Sequence, residues 1–148
     1  MTFPTQNLAQ VHTVNKLNQL FRALQEVKSK YETFALNIKN KQLYQMVISL
    51  AVENNQYANE LSSLIQSLGG EAEMIKSGDV KETGKKIPRS EKMILAACEK
   101  SEMLLLKVYK EVLNENYVYD SLKKMISYQL NGINFAFHRL KLLKTIQK

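Results

Sequence analysis

The sequence predicts an all-α fold: four helices packed as one bundle, with a single long connection in the middle. Three observations point there. Gly and Pro are scarce, five and two in 148 residues, whereas a sheet protein needs many turn-forming residues. Apolar residues recur at three- and four-residue spacing over four separate stretches, the signature of amphipathic helices. The connections between those stretches run short, long, short. A long middle connection is a crossover that lets the second and third helices lie side by side and parallel. An up-down bundle with a loose central loop is the alternative, but loops this long are uncommon without a structural reason.

The first helix is expected at about residues 8–39, with its stripe on Leu17, Leu20, Phe21, Leu24, Val27, Tyr31, Phe34, Ala35 and Ile38. Asn40 marks a break. The second, about 41–68, carries Leu43, Met46, Val47, Leu50, Tyr57, Leu61, Leu64, Ile65 and Leu68. Gly69-Gly70 ends it, because glycine tolerates the left-handed conformation that closes helices. Residues 69–89 hold no stripe and read as the crossover, interrupted by Gly78, Gly84 and Pro88. Ser90 is a natural N-cap for a third helix to about 113, on Ile94, Ala97, Cys98, Leu105, Val108, Tyr109 and Val112. The fourth, about 118–146, presents Leu122, Met125, Ile126, Ile133, Ala136, Leu140 and Leu143.

The length suits one domain over residues 1–148 with a proper core. One cysteine, Cys98, excludes an internal disulfide framework and a multi-cysteine zinc site. The opening MTFPTQNLAQ lacks the charged start and apolar run of a secretory signal. No apolar run approaches the roughly 20 residues of a membrane span. The expectation is a cytoplasmic protein with no membrane partner. The net charge of +7 is spread, with an acid in nearly every lysine cluster. Only the stretch from Arg139 to Lys148 is basic without relief, and cations suit a helix C-terminus. No nucleic-acid motif accompanies the charge, so nucleic acid is not an expected partner.

A helical wheel at about 100° per residue places the polar residues. Tyr31, Asn54, Tyr57, Ser101 and Gln129 point inward and form an expected buried polar centre. Glu53 and Glu102 fall at the margin of their stripes. Gln56, Glu99, Glu26, Glu32 and His138 face away. Cys98 lies on the core face, where an inert thiol is expected. Gly69-Gly70 ends a helix instead of opening one, so it is no phosphate loop.

Tyr31, the run Glu53 to Gly70, Cys98-Glu-Lys-Ser-Glu102, Tyr109, Gln129, Ile133 and His138, in this order around one crossover, resemble a family of uncharacterised bacterial proteins. That family has a ferritin-like four-helix bundle and no assigned biochemical function. The resemblance implies the ferritin-like fold and raises the matter of metal. A di-iron site of that architecture takes four carboxylates and two imidazoles, two of them in Glu-x-x-His pairs. Here Glu53-x-x-Gln56 has a poor ligand in place of the imidazole, and His138 follows Phe135 at the three-residue spacing.

The expected function is therefore a metal-degenerate ferritin-like bundle, non-enzymatic, without a cofactor, acting by binding or assembly. The alternative is a metal-binding oxidoreductase or storage protein that keeps iron or manganese in a partial site on Glu53 and Glu102. A second apolar row, Tyr128, Phe135 and Leu142, recurs every seven residues on the last helix, with Tyr117 and Ile146 expected nearby. Such a row is a seam for another helix. It suits the crossover residues Met74, Ile75, Val80 or Ile87, the N-terminal arm, or a second copy of the chain in a homo-oligomer.

Overall fold

The computed structural model describes residues 8–76 and 88–146. They form four helices, α1 Leu8–Ala35, α2 Lys41–Ser67, α3 Glu91–Leu113 and α4 Asp120–Ile146, and no strand among the described residues. α1 packs along α2 and α3 along α4, while α1 also faces α3 and α2 faces α4. Of these pairs, α2 and α4 approach each other least closely. The result is a four-helix bundle around one continuous apolar core, from Leu17 and Leu20 on α1 to Leu140 and Leu143 on α4.

Local chemistry accounts for the helix ends. α1 stops four residues short of the expected 39. Leu36, Asn37 and Ile38 each donate to a carbonyl three residues back, which tightens the chain out of the α-helix. Asn40 then caps α2, its side chain accepting from the Leu43 amide at 2.9 Å. At the other end of α2 the Gly70 amide donates to Ile65 and the Gly69 amide to Gln66, both at 3.0 Å. This is a Schellman closure, and it requires the left-handed Gly69 with φ +83°. Ser90 caps α3 by accepting from the Met93 amide at 3.1 Å. α4 begins at Asp120 instead of 118; Val118 precedes it as a buried plug, 3% exposed.

The chain after α2 turns back along α1. Asn18 donates to the Glu71 carbonyl at 3.0 Å and accepts from the Glu73 amide at 2.9 Å. Gln25, seven residues on, donates to the Glu73 carbonyl at 3.3 Å and accepts from the Ile75 amide at 3.1 Å. Two carboxamides thus satisfy four backbone groups of an irregular segment, as a neighbouring strand would. At the far end, the Glu91 carboxylate accepts from the Lys39 and Asn40 amides at 2.7 and 2.8 Å.

This path corrects one expectation. Met74 and Ile75 border a small hollow over Phe21, Gln25, Ala58 and Asn59, so they do not cover the second row of α4. Val80 and Ile87 lie outside the described residues. Tyr128, Phe135, Leu142 and Ile146 stay 64–70% exposed. Tyr117 leaves that row altogether and stacks on His12, ring centres 5.5 Å apart.

Candidate functional site

The inward residues of the wheel are all buried: Tyr31, Asn54 and Gln129 are at 0% exposure, Ser101 at 5% and Tyr57 at 7%. Two hydrogen-bonded groups draw on them. Gln129 of α4 organises one of them. Its Oε1 accepts from the Tyr109 hydroxyl at 2.7 Å. Its Nε2 donates to Glu60 Oε1 at 2.9 Å and stands 3.3 Å from the Tyr57 carbonyl. One amide thereby joins α2, α3 and α4 with both ends used, and burial pushes the Tyr109 phenol up from its ordinary 10. On sequence Tyr109 reads as an apolar stripe residue, and nothing in the stripe of α2 points to Glu60. The signal for Tyr109 was present, because a buried phenol needs a partner.

Glu102 organises the other group. The wheel put it at the margin, yet it is fully buried. Tyr31 of α1 lies across from it and donates its hydroxyl to Glu102 Oε2. This partner on a neighbouring helix draws the carboxyl inward, a contact that one helix's periodicity does not encode. Burial raises the Glu102 pKa from 4.5 to about 7; the Tyr31 hydroxyl opposes the rise and the nearby Glu53 carboxylate adds to it. The Asn54 amide, close by, also holds the value down, although its geometry falls short of a hydrogen bond. Burial, with the Glu102 charge behind it, moves the Tyr31 pKa well above its ordinary value.

Protonation reverses the direction of this small chain. The Tyr31 hydroxyl also stands 3.3 Å from the Cys98 carbonyl oxygen. A phenol has one proton to give. When Glu102 is ionised, Tyr31 donates to it. When Glu102 holds its proton, the carboxyl donates to Tyr31 and the phenol is free to donate to Cys98. The Cys98 thiol is fully buried, and burial and the Glu102 charge push it up to about 12. It is a poor nucleophile.

Among the described residues, four buried side-chain atoms beside this chain have no hydrogen-bond partner: Glu53 Oε1, both polar atoms of Asn54, and Glu102 Oε1. Glu53 itself is half-buried; burial raises its pKa, against the lowering pull of Arg139 on α4. Tyr57 fills the space between α2 and α4. A Cβ at Gly132 would come within 1.9 Å of its hydroxyl oxygen, so the glycine is what admits the ring. Burial, followed by the Glu53 charge, raises that phenol to about 12. Ser101 lies on the buried face of α3 and takes part in neither hydrogen-bonded group.

The residues expected to face away do so in most cases: Gln56, Glu26, Glu32 and His138 are exposed. Glu99 is only partly exposed, and pairs with Lys144 at 3.3 Å. Among the described residues, no group of three or more His, Cys, Asp or Glu side chains could hold a metal ion. Two carboxylates and an amide with no imidazole do not fit a di-iron centre.

A sequence family described as a domain of unknown function, DUF2383, matches over residues 12–115. The chain belongs to that family. The DUF2383 match takes in α1 from His12, α2 and α3, and stops two residues after α3. It therefore contains Tyr31, Glu53, Asn54, Tyr57, Ser101, Glu102 and Tyr109. It does not reach α4, so Gln129, Ile133 and His138, which carried part of the sequence resemblance, lie beyond it. No curated protein matches the chain. No helix among the described residues is long and apolar enough to cross a membrane.

Proposed function

We propose that this DUF2383 protein is a ferritin-like bundle of bacterial, cytoplasmic type that has lost the metal chemistry of its architecture and works by binding or assembly. The observation that carries the reading is the Tyr31–Glu102 hydrogen bond at full burial. It commits to a phenol the innermost carboxylate that a metal would need. The Gln129 group supports the same conclusion, since hydrogen bonds of its amide to Tyr109, Glu60 and the Tyr57 carbonyl join α2, α3 and α4 there. For the crossover, the support is the course of residues 71–75 along α1 and the seat of Glu91 on the amides before α2. Both are what a chain returning the length of the bundle before α3 requires. Self-association is assigned to the exposed row Tyr128, Phe135 and Leu142; Phe135→Asp should lower the mass in solution, and an unchanged mass removes that assignment.

Elemental analysis of protein purified without chelators tests the main reading. The expected outcome is no stoichiometric transition metal; near-stoichiometric iron or manganese overturns it. One observation favours a second reading, a partial metal site for redox or storage chemistry. Glu53 and Asn54 both bear on the Glu102 carboxyl, the unpartnered atoms of the three are oxygen-rich, and buried polar groups without partners call for an explanation. In that case Glu53→Gln and Glu102→Gln should each abolish the retained metal.

A further inference from the structure

Away from the polar centre, α3 and α4 enclose an open trough of ≈ 480 Å³ on the outer face of the bundle. Its apolar lining is Met103 and Leu106 from α3, and Phe137 from α4. Its rim is cationic, with Lys107 and Lys110 on α3. Lys141 stands over the Phe137 ring, its Nζ 4.8 Å from the centroid. Residues 103, 106, 107 and 110 follow i, i+3, i+4, i+7 spacing, so they share one face over about 10 Å of helix. The three lysines are exposed and enter no ion pair among the described residues. Glu111 is the one acid in the lining. Met103 is itself 56% exposed, an apolar side chain beside a charged border.

We propose that this trough receives an acidic amphipathic helix of a partner protein, its apolar stripe on Met103, Leu106 and Phe137 and its carboxylates on Lys107, Lys110 and Lys141. The inference rests on the reading that the bundle works by binding, and it names the partner's chemistry. Charge complementarity selects the occupant. A second copy is disfavoured, because the chain's own exposed row on α4 is bordered by Lys124 and Arg139, which would meet the lysine rim as like charges. A lipid surface is the competing occupant, and the vesicle arm of the test separates it. An amphipathic helix supplies both an apolar stripe and a charged border, with anchors at the spacing found here.

The test uses two synthetic 14-residue peptides that share leucines at i, i+3, i+4 and i+7, one filled with glutamate elsewhere and one with lysine. Titrated into the full-length protein, the glutamate peptide should bind about tenfold or more tightly than the lysine peptide, and weaken as salt rises. The double variant Lys107→Glu/Lys110→Glu, altered only at exposed positions, should reverse that preference. Phe137→Ala should weaken binding about tenfold, while Phe135→Ala, on the other side of α4, should leave it unchanged. Any of four results overturns the proposal: no binding of the glutamate peptide below about 1 mM, equal binding of both peptides, no reversal in the double variant, or equal losses for Phe137→Ala and Phe135→Ala. Phosphatidylglycerol vesicles bound more tightly than the glutamate peptide, with the same dependence on Lys107 and Lys110, would also overturn it in favour of a lipid surface. Metal content does not bear on the trough, and peptide binding does not bear on the centre, so the two readings fail separately.

Discussion

Asn18, Gln25 and Gln129 are buried carboxamides with both ends hydrogen-bonded, whereas Asn54, buried as deeply, uses neither end. The difference lies in what each faces. Asn18 and Gln25 meet a stretch of irregular backbone whose amides and carbonyls need partners, and Gln129 meets a phenol and a carboxylate. Asn54 lies beside the Glu102 carboxyl, whose Oε1 is as unpartnered as its own side-chain atoms. An unmade hydrogen bond in a buried place costs more than a made one contributes. The first region is therefore ordinary structural necessity, and the second holds polarity at a cost in stability. That asymmetry marks the Glu53–Asn54–Glu102 group as the part of the core not explained by folding alone.

The largest test of this contrast is Glu102→Gln followed against pH. The folded-state pKa is raised from 4.5 to about 7. Below 4.5 the carboxyl is protonated whether the chain is folded or not. Between about 4.5 and 7 the unfolded chain releases the proton while the folded chain retains it, so wild-type stability falls as pH rises and levels off above about 7. Removing the charge should stabilise the protein at pH 8 by about 3 kcal/mol at most, with the gain fading towards pH 4.5. Urea unfolding at several pH values reads this directly. A gain independent of pH would mean that Glu102 is not the titrating group.

Next in size is the packing beside the centre. Gly132→Ala puts a methyl group into the Tyr57 hydroxyl and should cost about 1–3 kcal/mol, as overpacking does. Adding Tyr57→Phe removes the clashing oxygen and should recover part of the loss. If the double variant is as unstable as the sum of the single ones, the two residues are not coupled.

On the satisfied side, Asn18→Ala strands the Glu71 carbonyl and the Glu73 amide, and should cost about 1–2 kcal/mol. Hydrogen exchange should quicken at Glu73, the amide that donates to Asn18. The smallest effect is expected at Asn54→Leu, where no hydrogen bond is lost. Its melting temperature should stay close to wild type or rise. A loss as large as that of Asn18→Ala would show that Asn54 has a partner, and so would dissolve the comparison.

Much of the architecture was legible along the chain. The four stripes name core residues that are indeed buried, such as Leu17, Leu50, Leu105 and Ile133. Asn40, Ser90 and Gly69 each mark a helix end, because capping is local chemistry within a few residues. Legible too, and missed, were Asn18 and Gln25, two carboxamides seven residues apart on the core face of α1. Their spacing matched the stripe, but nothing along the chain named the segment they would hold.

What the sequence by itself determined is the angular position of each side chain about its helix: Tyr31, Asn54, Ser101 and Gln129 face inward because 3.6 residues make a turn. What only the tertiary structure decided is who meets whom. Glu102 moved from margin to centre because Tyr31 stands opposite on another helix. Tyr57 fits because Gly132 lies at its level across the gap between α2 and α4. Residues 71–75 lie along α1 and not on the second row of α4, because Asn18 and Gln25 stand there to hold their backbone. Each of these depends on the axial offset and separation of two helices, quantities that the period of a single helix does not contain.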